Sequence, residues 1–297
     1  MKDEQNFPRF IAEISSNHNR DLKRCLAFID RAAEIGCSGV KFQLFKMSEL
    51  FAPEILLKSE EHRRRKAWEL PVEFLPAIAE RCRQHAIEFG CTPFYLNAVK
   101  ELLPLVDFYK IASYELLWHE LLRACARTGK PVVISTGMAT MDEIESAVNM
   151  IIESGCKDLT ILHCVSGYPT PVNECNLAAI ETIKEKFRNP QSAIRIGVGW
   201  SDHSVNPGVT HRAIHRWGAD MIEFHLDLDG KGEEYATGHC WLPEEIGRVI
   251  QTTRFGLEAD GTGEKTPTPS ELPDRDWRAD PSDGLRPLKT VRATFGR

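Results

Sequence analysis

Short β-branched and apolar runs alternate along the chain with longer segments in which apolar residues recur at helical spacing. Eight runs read as strands: Phe10–Ile14, Gly39–Gln43, Glu88–Thr92, Phe108–Ile111, Val132–Ser135, Leu159–His163, Ile194–Val198 and Met221–His225. Helical segments fall between and after them, at 20–35, 73–86, 95–104, 116–128, 141–154, 177–188, 206–217 and 242–258. Met141-Asp142-Glu143 puts carboxylates in a first turn, where the helix dipole favours anions. Gly36, Gly129 and Gly155 directly follow helices, at positions where a left-handed C-cap is expected.

Eight βα units, with no Gly-x-Gly-x-x-Gly after the first strand, predict an α/β protein of the (β/α)8 TIM barrel class rather than a doubly wound dinucleotide-binding sheet. The polar residues favour the same answer. Strand ends carry Glu13, Lys41 with Gln43, Thr92, Lys110 with Ser113, Ser135, His163, Ser201-Asp202-His203 and His225. Eight strand ends converging on one mouth is how a barrel assembles a site. The expected division is a barrel over 1–258 and a polar tail over 259–297, with no second domain. Residues 44–70 form a long connection containing Glu60-Glu61-His62-Arg63-Arg64-Arg65-Lys66, either a functional loop or a charged helix turn facing water.

Charge narrows the partners. With 37 basic and 43 acidic residues the net charge is −6, which disfavours a general nucleic-acid binder but leaves room for a local lysine cluster facing an anion. No run approaches the roughly 18 apolar residues of a membrane span. The start, Met1-Lys2-Asp3-Glu4-Gln5-Asn6, has no signal-peptide core, so a cytoplasmic address is expected. The nine cysteines contain no CxxC pair and read as reduced, apolar fillers.

Strand alternation assigns faces. Lys41 and Gln43 share one, opposite Phe42; Glu223, His225 and Asp227 share another, opposite Phe224. A charge inside an apolar strand must meet solvent or a functional cavity, and helices cover the outside of a barrel. Lys41 and Lys110, with the hydroxyls of Thr92, Ser113, Ser135 and Ser201, suit a small, multiply anionic ligand such as a phosphate or carboxylate. His203 and His225 end neighbouring strands. They are either hydrogen-bonded structural histidines or the ligands of a shared divalent metal, with Glu13 nearby. His18, in the first βα loop, reads equally as a substrate contact and as plain loop structure. Ser201-Asp202-His203 cannot act as a linear triad, and no nucleophile elbow is present.

The ordered set of motifs resembles the sialic acid synthase family, phosphoenolpyruvate-dependent enzymes that make N-acetylneuraminate and related nonulosonic acids. The matching stretches are Ile11-Ala12-Glu13-Ile14 with Asn17-His18-Asn19, Val40-Lys41-Phe42-Gln43, Cys91-Thr92-Pro93-Phe94 and Tyr109-Lys110-Ile111-Ala112-Ser113. They continue through Ile134-Ser135-Thr136-Gly137-Met138, His163-Cys164, Tyr168-Pro169-Thr170-Pro171, Ser201-Asp202-His203-Ser204 and Glu223-Phe224-His225. The resemblance implies the same barrel. It also implies that Lys41, Thr92 and Lys110 hold the carboxylate and bridging region of phosphoenolpyruvate, and that Ser113, Ser135 and Ser201 join Lys110 on its phosphate. His203 and His225 would bind a divalent metal, usually Mn²⁺ in this family, with Glu13 beside it. Gln43, Glu115, Ser166 and Tyr168 would line the amino-sugar side. Glu13, Lys41 and Lys110 are the implied catalytic residues, and the implied assembly is a homodimer.

Three departures bear on the acceptor. The family's bacterial members usually carry a C-terminal antifreeze-like domain that lends an arginine to the partner's sugar site, and only a short tail follows the barrel here. Arg63, Arg64, Arg65, Arg275, Arg278 and Arg286 are the candidate replacements. The family's Gly-Pro-Asp after the eighth strand is replaced by Tyr235-Ala236-Thr237-Gly238-His239, so its acidic sugar contact is missing or moved to Glu233 or Glu234. Ser166 stands where an asparagine is often found. Two further functions compete: a sister synthase acting on an aldose phosphate, which needs an arginine-rich second phosphate site, and a barrel subunit without turnover.

Overall fold

The computed structural model describes residues 7–188 and 194–295; the acidic start, Met1–Asn6, lies outside them. Residues up to Phe255 form one compact unit. Its strands are β1 (Arg9–Glu13), β2 (Gly39–Leu44), β3 (Glu88–Pro93), β4 (Phe108–Ile111), β5 (Val132–Ser135), β6 (Asp158–Cys164), β7 (Arg195–Asp202) and β8 (Met221–Leu226). Each pairs in parallel with the next, and β8 returns to β1 through the register Glu13↔His225, which closes the expected (β/α)8 barrel. A two-residue strand, β9 (Cys240–Trp241), adds parallel to β8.

The principal helices cover the outside: α1 (Leu22–Glu34), α5 (Leu75–Gln84), α6 (Leu96–Leu102), α7 (His119–Ala126), α8 (Met141–Glu153), α9 (Ala179–Phe187), α10 (Pro207–His215) and α12 (Pro243–Asp260). The long second connection is not an open loop. It holds α2 (Met47–Leu50), α3 (Pro53–Lys58), α4 (Glu60–Arg64) and a 3-10 turn at Arg65–Trp68. Arg64 and Arg65 pair with Glu60 and Glu61 one turn back, and Arg63 donates to the Leu56 and Leu57 carbonyls. The arginine run is thus largely a self-paired helix face. Capping fixes α8: Thr140 and Glu143 exchange side-chain and backbone hydrogen bonds in a capping box.

Two apolar clusters fill the unit. The larger lies between sheet and helices; the smaller, made of Ile11, Phe108, Val133, Leu162 and Met221, plugs the inside of the barrel. Its members share a positional rule. Two residues further along each strand stand Glu13, Lys110, Ser135, Cys164 and Glu223, which the period-two alternation places on the same inner face, one layer higher. Gly90 serves the plug directly, because a Cβ there would come within 2.1 Å of the Phe108 ring. The polar mouth therefore rests on a solid apolar floor.

Residues from Gly256 form a second unit, dominated by a 3-10 segment at Pro269–Trp277 and the short helix α13 (Lys289–Arg292). Within it Asp280 accepts from Ser282 and the Lys289 backbone, while Trp277 meets Phe295 edge-on at 5.9 Å. All nine cysteines are free and buried. No helix among the described residues is long and apolar enough to cross a membrane.

Candidate active site

The inner face of the strand ends carries two buried lysines and two buried glutamates in one connected group. Lys41 forms an ion pair with Glu13 on the neighbouring strand, donates to Thr92 Oγ1 at 3.2 Å, and stands 4.0 Å from Glu223. Lys110 lies 3.7 Å from the other Glu223 oxygen and donates to the Ile111 carbonyl at 2.9 Å. Ser201 donates to Glu223 at 3.2 Å, and Gln43 donates to Glu13 at 2.7 Å. Burial opposes the charge on each lysine. At Lys41 the Glu13 and Glu223 carboxylates win and raise the pKa; at Lys110 burial wins over Glu223, and the pKa falls. Burial also opposes the charge on Glu223, but Lys110 and Lys41 keep its carboxyl below the usual range.

Beside this group lies a set of hydroxyls. Ser113 Oγ accepts from the Gly137 backbone at 3.1 Å and donates to Cys164 Sγ at 3.7 Å. Ser135 and Ser166 have buried hydroxyl oxygens without a protein partner. Gly137 leaves room for Ser166 and Ser113, since a Cβ there would come within 2.3 Å of Ser166 Oγ and 3.0 Å of Ser113 Oγ. Buried donors without partners next to ammonium groups fit the oxygens of a small anion. Glu115, on a 3-10 turn after β4, also keeps one carboxyl oxygen unpartnered; burial pushes its pKa up to about 7, against the pull of Lys110.

The histidines gather at the ends of β7 and β8, with His225 in register with Glu13 on β1. His203 and His225 have ring centroids 5.3 Å apart, and Tyr168 packs 4.2 Å from His203. His203 Nδ1 is 2.8 Å from the Val165 carbonyl and His225 Nδ1 is 2.9 Å from Glu234, so each ring keeps Nε2 as its other nitrogen. Holding a ligand histidine through its second nitrogen is a recurrent arrangement in metal sites, so this donor set fits a divalent ion. Glu234 comes from α11 (Glu233–Ala236), after β8, and its other oxygen accepts from the Ser15 and Ser16 hydroxyls. Burial alone would raise the Glu234 pKa, but the hydrogen bonds from His225, His239 and Ser15 hold it well below the usual range.

Glu13, Lys41, Gln43, Thr92, Lys110, Ser113, Glu115, Ser135, Ser166, Tyr168, Ser201, His203 and His225 all stand at or just beyond the same ends of the strands. Other candidates have local duties. His163 bonds the Cys175 carbonyl at 2.9 Å. Asp202 accepts from the Trp200 and Trp241 indoles and from Ser204, holding β7 and β9 together. His18 is buried, which lowers its pKa to about 4, and its Nδ1 accepts from the Arg20 backbone. Sequence reasoning placed Glu223 on the right face but assigned it no role, and it left Glu234 as one of two alternatives. The signals were there: a charge two residues before a strand-end histidine, and an acid in the loop that follows.

A barrel whose strand-end mouth joins two lysines, unpartnered hydroxyls and a histidine pair has the groups that can bind a small anion beside a divalent ion. Comparison with known proteins makes this specific. The chain matches the NeuB family over residues 28–265 and belongs to that family, the one its motifs resemble. A diacetyllegionaminic acid synthase of Legionella pneumophila is 33% identical over 285 residues, covering 89% of this chain and 76% of the relative. An uncharacterized protein of Methanocaldococcus jannaschii is 36% identical over 267 residues, covering 89% and 75%. The crystal structure of the sialic acid synthetase of Leptospira borgpetersenii, in complex with citrate, superposes with a TM-score of 0.78 at 30% identity, covering 94% of both chains.

Proposed function

We propose that the chain condenses phosphoenolpyruvate with an open-chain N-acetylated hexosamine, N-acetylmannosamine or a close relative, giving a nonulosonic acid and phosphate. The observation that carries this reading is the gathering of the buried Lys41 and Lys110 at the same strand ends as the buried, unpartnered Ser135 hydroxyl, with Lys110 and Ser135 one layer above the apolar plug. Phosphoenolpyruvate presents a carboxylate and a phosphate, the two anions such a lining suits. Names of relatives support the product class, since the Legionella protein is a diacetyllegionaminic acid synthase.

In the reaction, C3 of phosphoenolpyruvate attacks the aldehyde carbon, forming the new carbon–carbon bond and leaving positive character at C2. Water adds at C2, and the C2–O bond to phosphate then breaks to give the ketone. Lys41 and Lys110 hold the anion throughout and neutralise the phosphate as it leaves. Glu13 and Glu223 bring negative charge to the reacting carbons and accept the proton that the attacking water gives up. Glu115, with a pKa near 7, holds a proton for the oxygen of the former aldehyde. A divalent metal held by His203 and His225, Mn²⁺ by family precedent, would supply Lewis acidity toward the aldehyde oxygen.

An aldose phosphate is less well served as acceptor, because Arg63, Arg64 and Arg65 are already engaged by neighbours on their own segment. Incubation with phosphoenolpyruvate, Mn²⁺ and a panel of aldoses, scored by phosphate release, tests the reading. Turnover with N-acetylated hexosamines is expected; turnover only with aldose phosphates, or none at all, contradicts it.

A further inference from the structure

Trp68 Nε1 donates to Glu233 Oε2 at 3.2 Å, joining two connections at the rim of the mouth. Trp68 closes the 3-10 turn in the connection after β2, and Glu233 opens α11 after β8. Arg20, in the loop after β1, holds the same turn by donating to the Lys66 carbonyl at 3.0 Å. The loops that follow three neighbouring strands, β8, β1 and β2, are thus tied together. Between the connection after β2 and α11 lies a cavity of about 610 Å³, lined by Glu60, Glu61, Arg64, Arg65, Trp68 and Glu233.

This cavity borders the reacting end of the site. Glu234 accepts from His225 and from the Ser15 and Ser16 hydroxyls, so its carboxylate is committed to the mouth. Glu233 precedes it, with Cα atoms about 3.8 Å apart. Its carboxylate is exposed and turns to Trp68 instead. An acceptor with its aldehyde beside His225 runs its remaining carbons outward, because the apolar plug closes the barrel beneath. The rim cavity is one residue away.

The lining suits a neutral polyol better than an anion. Arg64 pairs with Glu60 and Arg65 with Glu61, so Glu233 is the carboxylate left over. Three carboxylates against two guanidinium groups give the lining a net negative charge. Arg65 also stands over the Trp68 ring, 5.3 Å from its centroid, and so backs the indole. A carboxylate accepts from hydroxyls, and an indole packs on the C–H face of a sugar chain. A terminal phosphate meets the unpaired charge of Glu233 instead.

We infer that the rim cavity is the subsite for the uncharged, hydroxyl-bearing end of the acceptor. Trp68 packs on its carbons, and Glu233 accepts from its hydroxyls and disfavours acceptors that end in phosphate. The inference rests on the reading that the chain condenses phosphoenolpyruvate with an amino sugar, and it assigns the end of that sugar farthest from the reaction.

The test compares kcat/KM for N-acetylmannosamine and for its 6-phosphate, with phosphoenolpyruvate affinity followed by calorimetry. The wild type is expected to favour the neutral sugar. Glu233→Gln should raise the KM of the neutral sugar about tenfold, the scale of one hydrogen bond to a charged group. It should leave the 6-phosphate unharmed or better used, so the preference narrows by at least about the same factor. Trp68→Ala should raise the KM of both acceptors, and both variants should keep wild-type phosphoenolpyruvate affinity. A Glu233→Gln protein in which the two acceptors change by one common factor, or not at all, overturns the proposal. An unchanged acceptor KM in Trp68→Ala, or phosphoenolpyruvate affinity lost in either variant, overturns it too. A wild type that uses both sugars but favours the 6-phosphate overturns this inference alone. A wild type that turns over neither removes the reading of the function, and this inference with it.

Discussion

Glu223 on β8 reaches across the barrel mouth to Lys110 on β4, the strand diametrically opposite, with 3.7 Å between carboxylate oxygen and ammonium. The same carboxylate lies 4.0 Å from Lys41, so one anion offsets two buried cations. Removing one partner of a buried pair leaves uncompensated charge, at a cost of about 3 kcal/mol. Glu223→Gln should therefore lower the melting temperature by several degrees, and added phosphate or phosphoenolpyruvate should restore part of the loss by supplying the missing anion. Thermal unfolding with and without ligand measures this. A variant that melts like the wild type would contradict it.

Lys110 should matter for one substrate and not the other. Lys110→Ala removes a buried ammonium from the inner-face layer that also carries the unpartnered Ser135 hydroxyl. Phosphoenolpyruvate affinity by calorimetry is expected to fall at least about tenfold, the scale of one lost charge-assisted hydrogen bond. The KM for the acceptor should change much less. Unchanged phosphoenolpyruvate affinity would remove Lys110 from the anion site.

The histidines make a second, separable prediction. His203→Ala or His225→Ala should abolish metal-dependent turnover while leaving the circular dichroism spectrum intact, since neither ring belongs to the apolar clusters. Full wild-type activity in excess chelator would show that no metal is needed.

Glu115 gives a pH signature in stability. Its folded pKa of about 7 lies above the ordinary glutamate value, so between about pH 4.5 and 7 the folded state holds a proton that the unfolded state has released. Stability contributed by the neutral carboxyl is complete below that window and declines as pH rises through it, by up to about 3 kcal/mol. Glu115→Gln should flatten this slope in urea titrations run from pH 5 to 8. An equal slope in the variant would mean that Glu115 ionises normally.

Much of this was legible in the chain. The eight strands needed only period and turn residues, and their observed ends differ by a residue or two, except that β7 runs on to Asp202. It runs on because Ser201 and Asp202 remain paired with Glu223 and Phe224 on β8, a long-range fact that no local pattern contains. Lys41 and Lys110 could be picked out because a lysine amid apolar strand residues requires a reason. The 44–70 connection was opaque: its short helices lean on contacts such as Met47 N to Glu69 and Trp68 to Glu233, across 22 and 165 residues. His239 was opaque for a related reason: its contacts with Thr237 Oγ1 at 2.7 Å and with Glu234 at 3.5 Å form only in the folded chain.

The closing register, Glu13 against His225, also constrains the order of events as the protein is made. Lys41 finds Glu13 earlier in the chain, but Lys110 leaves the ribosome more than a hundred residues before Glu223, which balances it, and the Ser15 and Ser16 hydroxyls wait for Glu234. A nascent chain that has folded its first half therefore holds one unbalanced cation and half a ligand site. Neither phosphoenolpyruvate nor metal can stabilise such an intermediate, because binding stabilises only the state that contains the whole site. Ligand present in the cell thus acts on a single late step, the joining of the last strand to the first, and rewards only chains that have completed it.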